Sequence, residues 1–488
     1  MIGMIYLAVQ NDAFKQQIEY VWDLYFFIYG FPKQVLSYKD LGNIQPDPGS
    51  LVISYGRGKP EGTFAHQIHI HESPLFGANY LQPASLPKEP LPHYQDLPII
   101  YAGNGDVMGW VVTHENERGG KTIETNIDII ASSFFMLTRY EEVVTPVQDK
   151  FERYPATASL AYREGFLDRP IVNEYIELLG SWVEGFNLGF ERKELWDGKD
   201  FAVCLTHDVD VLRKYSWYPP LRAIAGRTLK HHGPRKSFAV AREYLRVRGK
   251  RCSDPYDQFD YLMQVSERYG VSSSFYFISG GETKYDNCYS IGNPYAACLV
   301  RHIRDRGFEV ALHSSFNAFS NSQMLMREKE RLEAVVERAV YGVRQHYLRW
   351  RTPDSWRVRE EAGFKYDTTL TFADHEGFRC GICLPYKPFD VLANKQLDIW
   401  ELPLAVMEGT LYDYQGLLSV EVFSRIKKLV DVVKKHNGLF IILCHNSSLD
   451  EMFYPGWTSV YVEILEYISK QNVLSDTALG IIRRWERV

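Results

Sequence analysis

Apolar residues in the second half of this chain fall into short unbroken runs that alternate with longer stretches of helical period. Phe201-Ala202-Val203-Cys204-Leu205 is such a run. It lacks Gly and Pro and reads as a strand covered on both faces. Ser273 to Ile278, Phe308 to Leu312, Tyr347 to Arg351, Leu397 to Leu402 and Leu439 to Cys444 read the same way. Between them, Phe259 to Tyr269, Ala297 to Arg306, Met324 to Tyr341, Arg357 to Ala362, Val420 to His436 and Tyr461 to Gln471 have helical character, and Gly270, Gly307 and Gly363 stand where three of these helices would stop. Strand and helix in alternation predict a parallel sheet, and this many units predict a closed or nearly closed (β/α) barrel.

The first half is patterned differently. Met4 to Val9 and Ser50 to Tyr55 predict strands, and Ile127 to Tyr140 predicts a helix with Ile130, Phe134 and Leu137 on one face and Asn126 or Asp128 as its cap. Arg139, Glu141 and Glu142 are placed on its exposed end. Pro83 to Pro98 is rich in turn formers and predicts a loop. Of His66, His69 and His71, the last two would share a strand face; with no third ligand placed, a surface strand is the expectation rather than a metal site. At 488 residues the chain exceeds one ordinary core. The expected division is a smaller N-terminal α/β accessory domain, 1–195, followed by a barrel domain, 196–488.

Composition narrows the class without naming an activity. Apolar content of 45% and charged content of 24% are those of a soluble globular protein. Aromatic content of 14% suits sugar stacking and a thick aromatic core equally well. The first thirty residues intersperse Asp12, Lys15, Glu19 and Asp23, so they do not have the pattern of a signal peptide, and no apolar run reaches the length of a membrane span. Seven scattered cysteines argue against a disulfide framework, and Cys380-Gly381-Ile382-Cys383 reads as two ordinary loop cysteines. A cytoplasmic location is expected. Charge is uneven: Arg213 to Arg251 holds twelve Lys or Arg and one acid, Glu243, which is +11 in a chain of net −6 and leaves −17 elsewhere. Such a segment is either a solvated insertion or a face for an anionic partner such as a phosphorylated glycan, a nucleotide or lipid headgroups. The acidic remainder would repel nucleic acid, which is not expected as a partner.

The candidate chemistry sits where strands are predicted to end. The run from Phe201 closes on Thr206-His207-Asp208-Val209-Asp210. Side chains alternate along a strand, so Asp208 and Asp210 point one way and His207 the other. Two carboxylates on one face allow one to hold a cation while the other takes a proton from water. In (β/α) barrels the carboxyl ends of the strands converge on one rim. Here those ends carry Asp208, Asp210, His313, Arg351 and His445. Each has a plainer account, as a turn-forming acid, a satisfied histidine or a structural ion pair; five together at one rim favour a site.

Taken in order, these positions resemble the polysaccharide deacetylase family, the NodB-homology enzymes of carbohydrate esterase family 4. Asp208 and Asp210 match the carboxylate pair of its first motif in an Asp-x-Asp spacing. His313-Ser314-Ser315-Phe316-Asn317 matches the first His and the Ser of His-Ser/Thr-x-x-His. Arg351-Thr352-Pro353 with Gly363-Phe364 fits the third motif, and Ile441 to His445 fits the last, Leu-x-His. The likeness covers residues 200 to 488. It implies a NodB-like distorted (β/α) barrel, a divalent metal with zinc the expected ion, and hydrolysis of N-acetyl groups on an amino sugar or glycan. The substrate would be anionic if the basic segment takes part. Asp208 would be the base, Asp210 and His313 metal ligands, Arg351 the partner that keeps Asp208 ionised, and His445 the acid that protonates the departing amine. A backbone N–H after Asp210 would add to the oxyanion site.

The departure from the pattern is Asn317, which stands where the family has its third ligand, a His. An amide oxygen is a poorer zinc ligand than imidazole. Asn317 ligates weakly, another residue replaces it, or the metal is lost. His346 is nearest in sequence, but an extended Tyr347 to Arg351 would put it about 16 Å from Arg351, toward the wrong end of the strand. His375 is the freer candidate, and its neighbour Asp374 would orient His445 if it served as the family's acidic motif. Hydrolysis of a cyclic amide or imide and non-catalytic carbohydrate binding are the competing functions.

Overall fold

The computed structural model describes residues 4–488 apart from 45–46, 48, 62–63, 104–107, 116–119, 216–228 and 287–288, with the backbone alone of 229–234. One sheet lies in the first 125 residues. Strands β1 (Ile5–Val9), β2 (Lys33–Ser37), β3 (Leu51–Gly56), β4 (His66–His71), β5 (Val111–Glu115) and β6 (Lys121–Thr125) take the order β2-β1-β3-β4-β6-β5 and are parallel except for β5 with β6. Helices α1 (Lys15–Tyr29), α2 (Ile129–Leu137) and α3 (Ile171–Glu184) follow in this part of the chain. Asp128 caps α2 by accepting from the Ala131 N–H at 2.9 Å. The histidine strand is not on the surface: β4 pairs on both edges, and His69 and His71 are buried.

The second sheet is parallel throughout. Its strands are β7 (Phe201–Val209), β8 (Ser273–Phe277), β9 (Glu309–Ser314), β10 (Gly342–Gln345), β11 (Tyr366–Asp367), β12 (Trp400–Glu401), β13 (Val406–Met407), β14 (Leu439–Leu443) and β15 (Val473–Ser475). They run β12-β11-β10-β9-β8-β7-β14-β13, with β15 paired to the start of β7. The edge strands β12 and β13 are consecutive in the chain. Leu402 N–H still donates to Asp367 on one edge, and Ala405 N–H to Ile441 on the other. The chain therefore crosses from edge to edge within those few residues, and the sheet curls into a distorted (β/α) barrel open at one seam. All nine residues of β7 are buried, as a central parallel strand with both faces covered requires. Helices α4 (Leu229–Arg248), α5 (Phe259–Tyr269), α6 (Pro294–Asp305), α7 (Ser322–Val336), α8 (Asp354–Glu361), α9 (Ser419–Lys435) and α10 (Trp457–Ser469) lie between the strands.

One local departure from the predicted elements matters for the site. The fourth main strand is Gly342–Gln345, and not Tyr347 to Arg351. Tyr366 explains the glycine, because a Cβ at Gly342 would come within 2.0 Å of that ring. Directly after His346 the chain turns sharply, with Tyr347 and Leu348 both at positive φ (61° and 54°), which non-glycine residues rarely adopt.

The apolar interior is continuous from the first sheet into the second. Tyr20 on α1 packs on Phe389 with ring centres 5.1 Å apart. Arg139 and Glu142, predicted to be exposed, are buried at this junction. Glu142 accepts from Arg139 and Arg379 at 2.9 Å and from the Thr352 hydroxyl at 2.7 Å. The Cys380 and Cys383 thiols are buried here too, unpaired, with the Cys383 N–H donating to Asn173 on α3.

Candidate metal and catalytic site

Five strands of the second sheet deliver side chains to one rim. Asp208 lies on β7 and Asp210 just beyond it, His313 near the end of β9, His346 just beyond β10, Glu408 just beyond β13, and His445 two residues beyond β14. In the β9–β10 register His313 stands opposite Arg344, so His346 is one pleat repeat further on and on the same side as Arg344. Asp208, Asp210, His313, His346 and His445 line a cavity of about 220 Å³ together with Arg153, Tyr347, Asp413, Tyr414 and Tyr454.

Asp210, His313 and His346 each turn one donor atom inward, and these atoms lie within 4.8 Å of one another. Asp210 Oδ1 is 3.2 Å from His313 Nε2 and 3.6 Å from His346 Nε2. His313 Nδ1 lies 3.1 Å from the Arg344 carbonyl, which can only accept, so Nδ1 carries the proton in the neutral ring and Nε2 presents a lone pair. That lone pair faces a carboxylate oxygen which is buried and makes no hydrogen bond. Two lone pairs this close require a proton or a cation between them. A hard carboxylate with two imidazoles is a donor set suited to a divalent transition ion such as zinc. Burial opposes ionisation of Asp210, but the charge of His346, the polar contacts of His313 and His346, and the charge of His445 outweigh it and hold the carboxyl well below the usual range. Burial likewise pushes His346 down, and Asp210 with Asp286 raises it to about 9.

Asp208 stands beside the cluster. Its Oδ1 accepts from Arg344 Nη1 at 3.0 Å and its Oδ2 is 3.7 Å from His313 Nδ1. Arg344 is itself fixed, donating to the Thr206 hydroxyl at 2.8 Å and the Thr368 carbonyl at 2.9 Å, with its guanidinium over Tyr276. His445 approaches from the other side, with Nε2 3.8 Å from Asp210 Oδ2. Its Nδ1–H donates to Glu408 Oε1 at 2.6 Å, and the same oxygen accepts the His445 backbone N–H. Burial would lower the His445 pKa; the buried Glu408 carboxylate outweighs it and raises the ring to about 10. His207 points away, as the alternation predicts, and is a buried histidine bonded to the Cys444 carbonyl at 2.9 Å.

Four sequence expectations are corrected by these positions. Asn317 is outside the cluster: its Oδ1 accepts from Arg349 at 3.2 Å. Arg351 is 45% exposed and pairs with Glu152, so the guanidinium on Asp208 is that of Arg344. His375 packs on Tyr162 apart from the Asp210, His313 and His346 donors, and Asp374 accepts from the Ala156 N–H while Glu408 is the acid on His445. His346 supplies the third donor, having been set aside because the strand was placed after it. Arg344 and Glu408 were missed. The alternation of Arg344 with His346 was the available signal for the first; an acid directly after a two-residue strand gave almost none for the second.

Residues 6–187 match the model of a family of unknown function, DUF7033. No curated protein is significantly similar to the chain. The fold is similar to that of a putative polysaccharide deacetylase from Mycobacterium smegmatis, at 17% identity and a TM-score of 0.41, over 60% of this chain and 92% of that one. It is similar to Puue allantoinase at 13% identity and a TM-score of 0.41, over 60% and 93%. A probable polysaccharide deacetylase from Pseudomonas aeruginosa PAO1 gives 16% identity and a TM-score of 0.40, over 59% and 92%.

Proposed function

We propose that this protein is a metal-dependent hydrolase that removes N-acetyl groups from an amino sugar or glycan. The observation that carries the proposal is the convergence of the Asp210, His313 and His346 donors between two separately held groups, Asp208 on Arg344 and His445 on Glu408. A divalent cation held by those three residues would supply Lewis acidity, lowering the pKa of water and polarising the acetamide carbonyl. Asp208 accepts the proton of the attacking water at a carboxylate oxygen, and Arg344 holds that carboxylate in position. His445, protonated and oriented by Glu408, delivers a proton from Nε2 to the departing nitrogen. The balance is one water consumed, one C–N bond broken, and an acetate and a free amine released. Tyr347, Tyr414 and Tyr454 line the cavity with rings and hydroxyls suited to a sugar. The substrate class rests on the sequence motifs, and the reaction class on the geometry.

The test is to measure bound metal in the purified protein and then acetate release from a panel of N-acetylated mono- and oligosaccharides. Metal-dependent acetate release is the expected result. Release of a ring-opened product from cyclic amides or imides in the same panel would move the substrate class. Absence of bound metal together with no turnover on any amide would favour a non-catalytic carbohydrate-binding protein.

A further inference from the structure

We infer that helix α4 (Leu229–Arg248) docks this protein on an anionic lipid surface. Among the described residues, the contacts that hold the helix to the barrel come from one face. Val240 is buried, Glu243 accepts from Lys214 at 2.6 Å and from the Tyr215 hydroxyl at 2.7 Å, and Tyr244 packs on Tyr215. Lys214 also pairs with Asp450 at 2.6 Å, in the turn that follows His445. The helix is thereby anchored to the same rim as the candidate site.

The opposite face has an unusual composition. At about 100° per residue, Phe238 and Leu245 fall within about 20° of each other, and Arg235, Arg242 and Arg246 fall within about 80° of Phe238. Phe238 is 74% exposed and Leu245 is 69% exposed, and the three arginines are exposed as well. An ordinary solvated helix places its large apolar side chains inward and its charges outward. Here Val240 already occupies the inward face, and a Phe and a Leu stand outward among arginines. That combination suits the boundary between headgroups and acyl chains, where the rings and aliphatic groups enter and the guanidiniums meet phosphate. Lys250 and Arg251 follow on the exposed turn after the helix.

Charge selects the occupant. The segment from Arg213 to Arg251 is +11 while the rest of the chain is −17. Nucleic acid would engage the arginines but not the outward Phe and Leu, and the acidic body would oppose its wrapping. A lipid surface is planar, needs only the one helix, and uses both kinds of side chain. No helix of the described residues is long and apolar enough to cross a membrane, so the mode is interfacial.

The test uses the full chain in vesicle co-sedimentation. Vesicles of phosphatidylcholine and phosphatidylglycerol in equal parts are compared with pure phosphatidylcholine at low and physiological salt. Binding to the mixed vesicles, weakened by salt and weak or absent on phosphatidylcholine, is expected. Phe238→Ser with Leu245→Ser should reduce it about tenfold, as should Arg242→Glu with Arg246→Glu. Circular dichroism and melting temperature show that both variants stay folded, which their exposed positions favour. No binding to the mixed vesicles overturns the proposal. So does binding that the Phe238/Leu245 pair leaves unchanged, because the apolar contact would then be absent. A dimer of the free protein that dissociates in the same variant also overturns it, and assigns the face to a second copy of the chain.

Discussion

At the scale of single residues, the site separates three jobs that share one pleated surface. Asp208 and Asp210 differ by two positions, yet Asp208 is taken up by Arg344 while Asp210 turns an unbonded oxygen toward two imidazoles. Asp208→Asn is therefore expected to keep bound metal and to lower turnover by about 10²–10⁴-fold, since an amide takes no proton. Asp210→Ala should lose the metal. Metal analysis alongside acetate release decides the point, and equal metal loss in both variants would refute the division. His445 gives a pH prediction. Its imidazolium is stabilised by Glu408 against a burial that disfavours charge. In Glu408→Gln burial is opposed only by the charges of Asp210 and Asp208, the pKa falls, and the general acid loses its proton earlier as pH rises. The alkaline limb of kcat/KM should move down by about one pH unit or more. A limb that stays in place would mean that His445 is not the group that titrates there.

At the scale of elements, the third donor depends on where one strand stops. Gly342–Gln345 is short, begins with Gly and contains Arg and Gln, while Tyr347, Leu348 and Trp350 just beyond it are the residues that attract a strand assignment. Hydrophobic patterning therefore placed the strand too late and carried His346 to the wrong end. The central strands were legible because they are apolar on both faces: β7, β9 and β14 lie close to where they were expected, and Asp208, Asp210, His313 and His445 stand at or just past their ends. What could not be read is whatever depends on contact between distant segments. Arg344 has only its alternation with His346 to signal it until β10 lies beside β9, and Glu408 is recognisable only once β13 lies beside β14. The two placements of the third donor are separable by experiment. His346→Asn should weaken metal binding by about 10-fold or more, whereas Asn317→His should leave it unchanged because that side chain faces Arg349. Competition with a chromophoric chelator gives both numbers. Tighter binding in Asn317→His would put position 317 back within reach of the metal.

At the scale of the whole molecule, the first half of the chain is built into the second. Arg153 lines the cavity while donating to the Tyr347 carbonyl at 3.3 Å and the Tyr414 hydroxyl at 3.0 Å. Tyr347 follows β10 and Tyr414 follows β13, so this arginine covers the rim at the side where the barrel is open. The junction behind it is held by ions as well as by apolar packing. Glu142 serves two buried guanidiniums, Arg139 from the first half and Arg379 from the second. Removing one partner of a buried ion cluster leaves unpaired charge in a medium that solvates it poorly, and the loss is larger than the net worth of the intact cluster. Glu142→Ala should lower stability by about 3–5 kcal/mol. The continuous interior makes a further demand: urea unfolding followed by tryptophan fluorescence and by far-ultraviolet dichroism should give one shared transition, moved to lower urea in the variant with its slope unchanged. Two separated transitions in the wild type would show that the halves unfold independently. A transition that does not move in Glu142→Ala would show that the arginines find other partners and that apolar contacts alone join the two sheets.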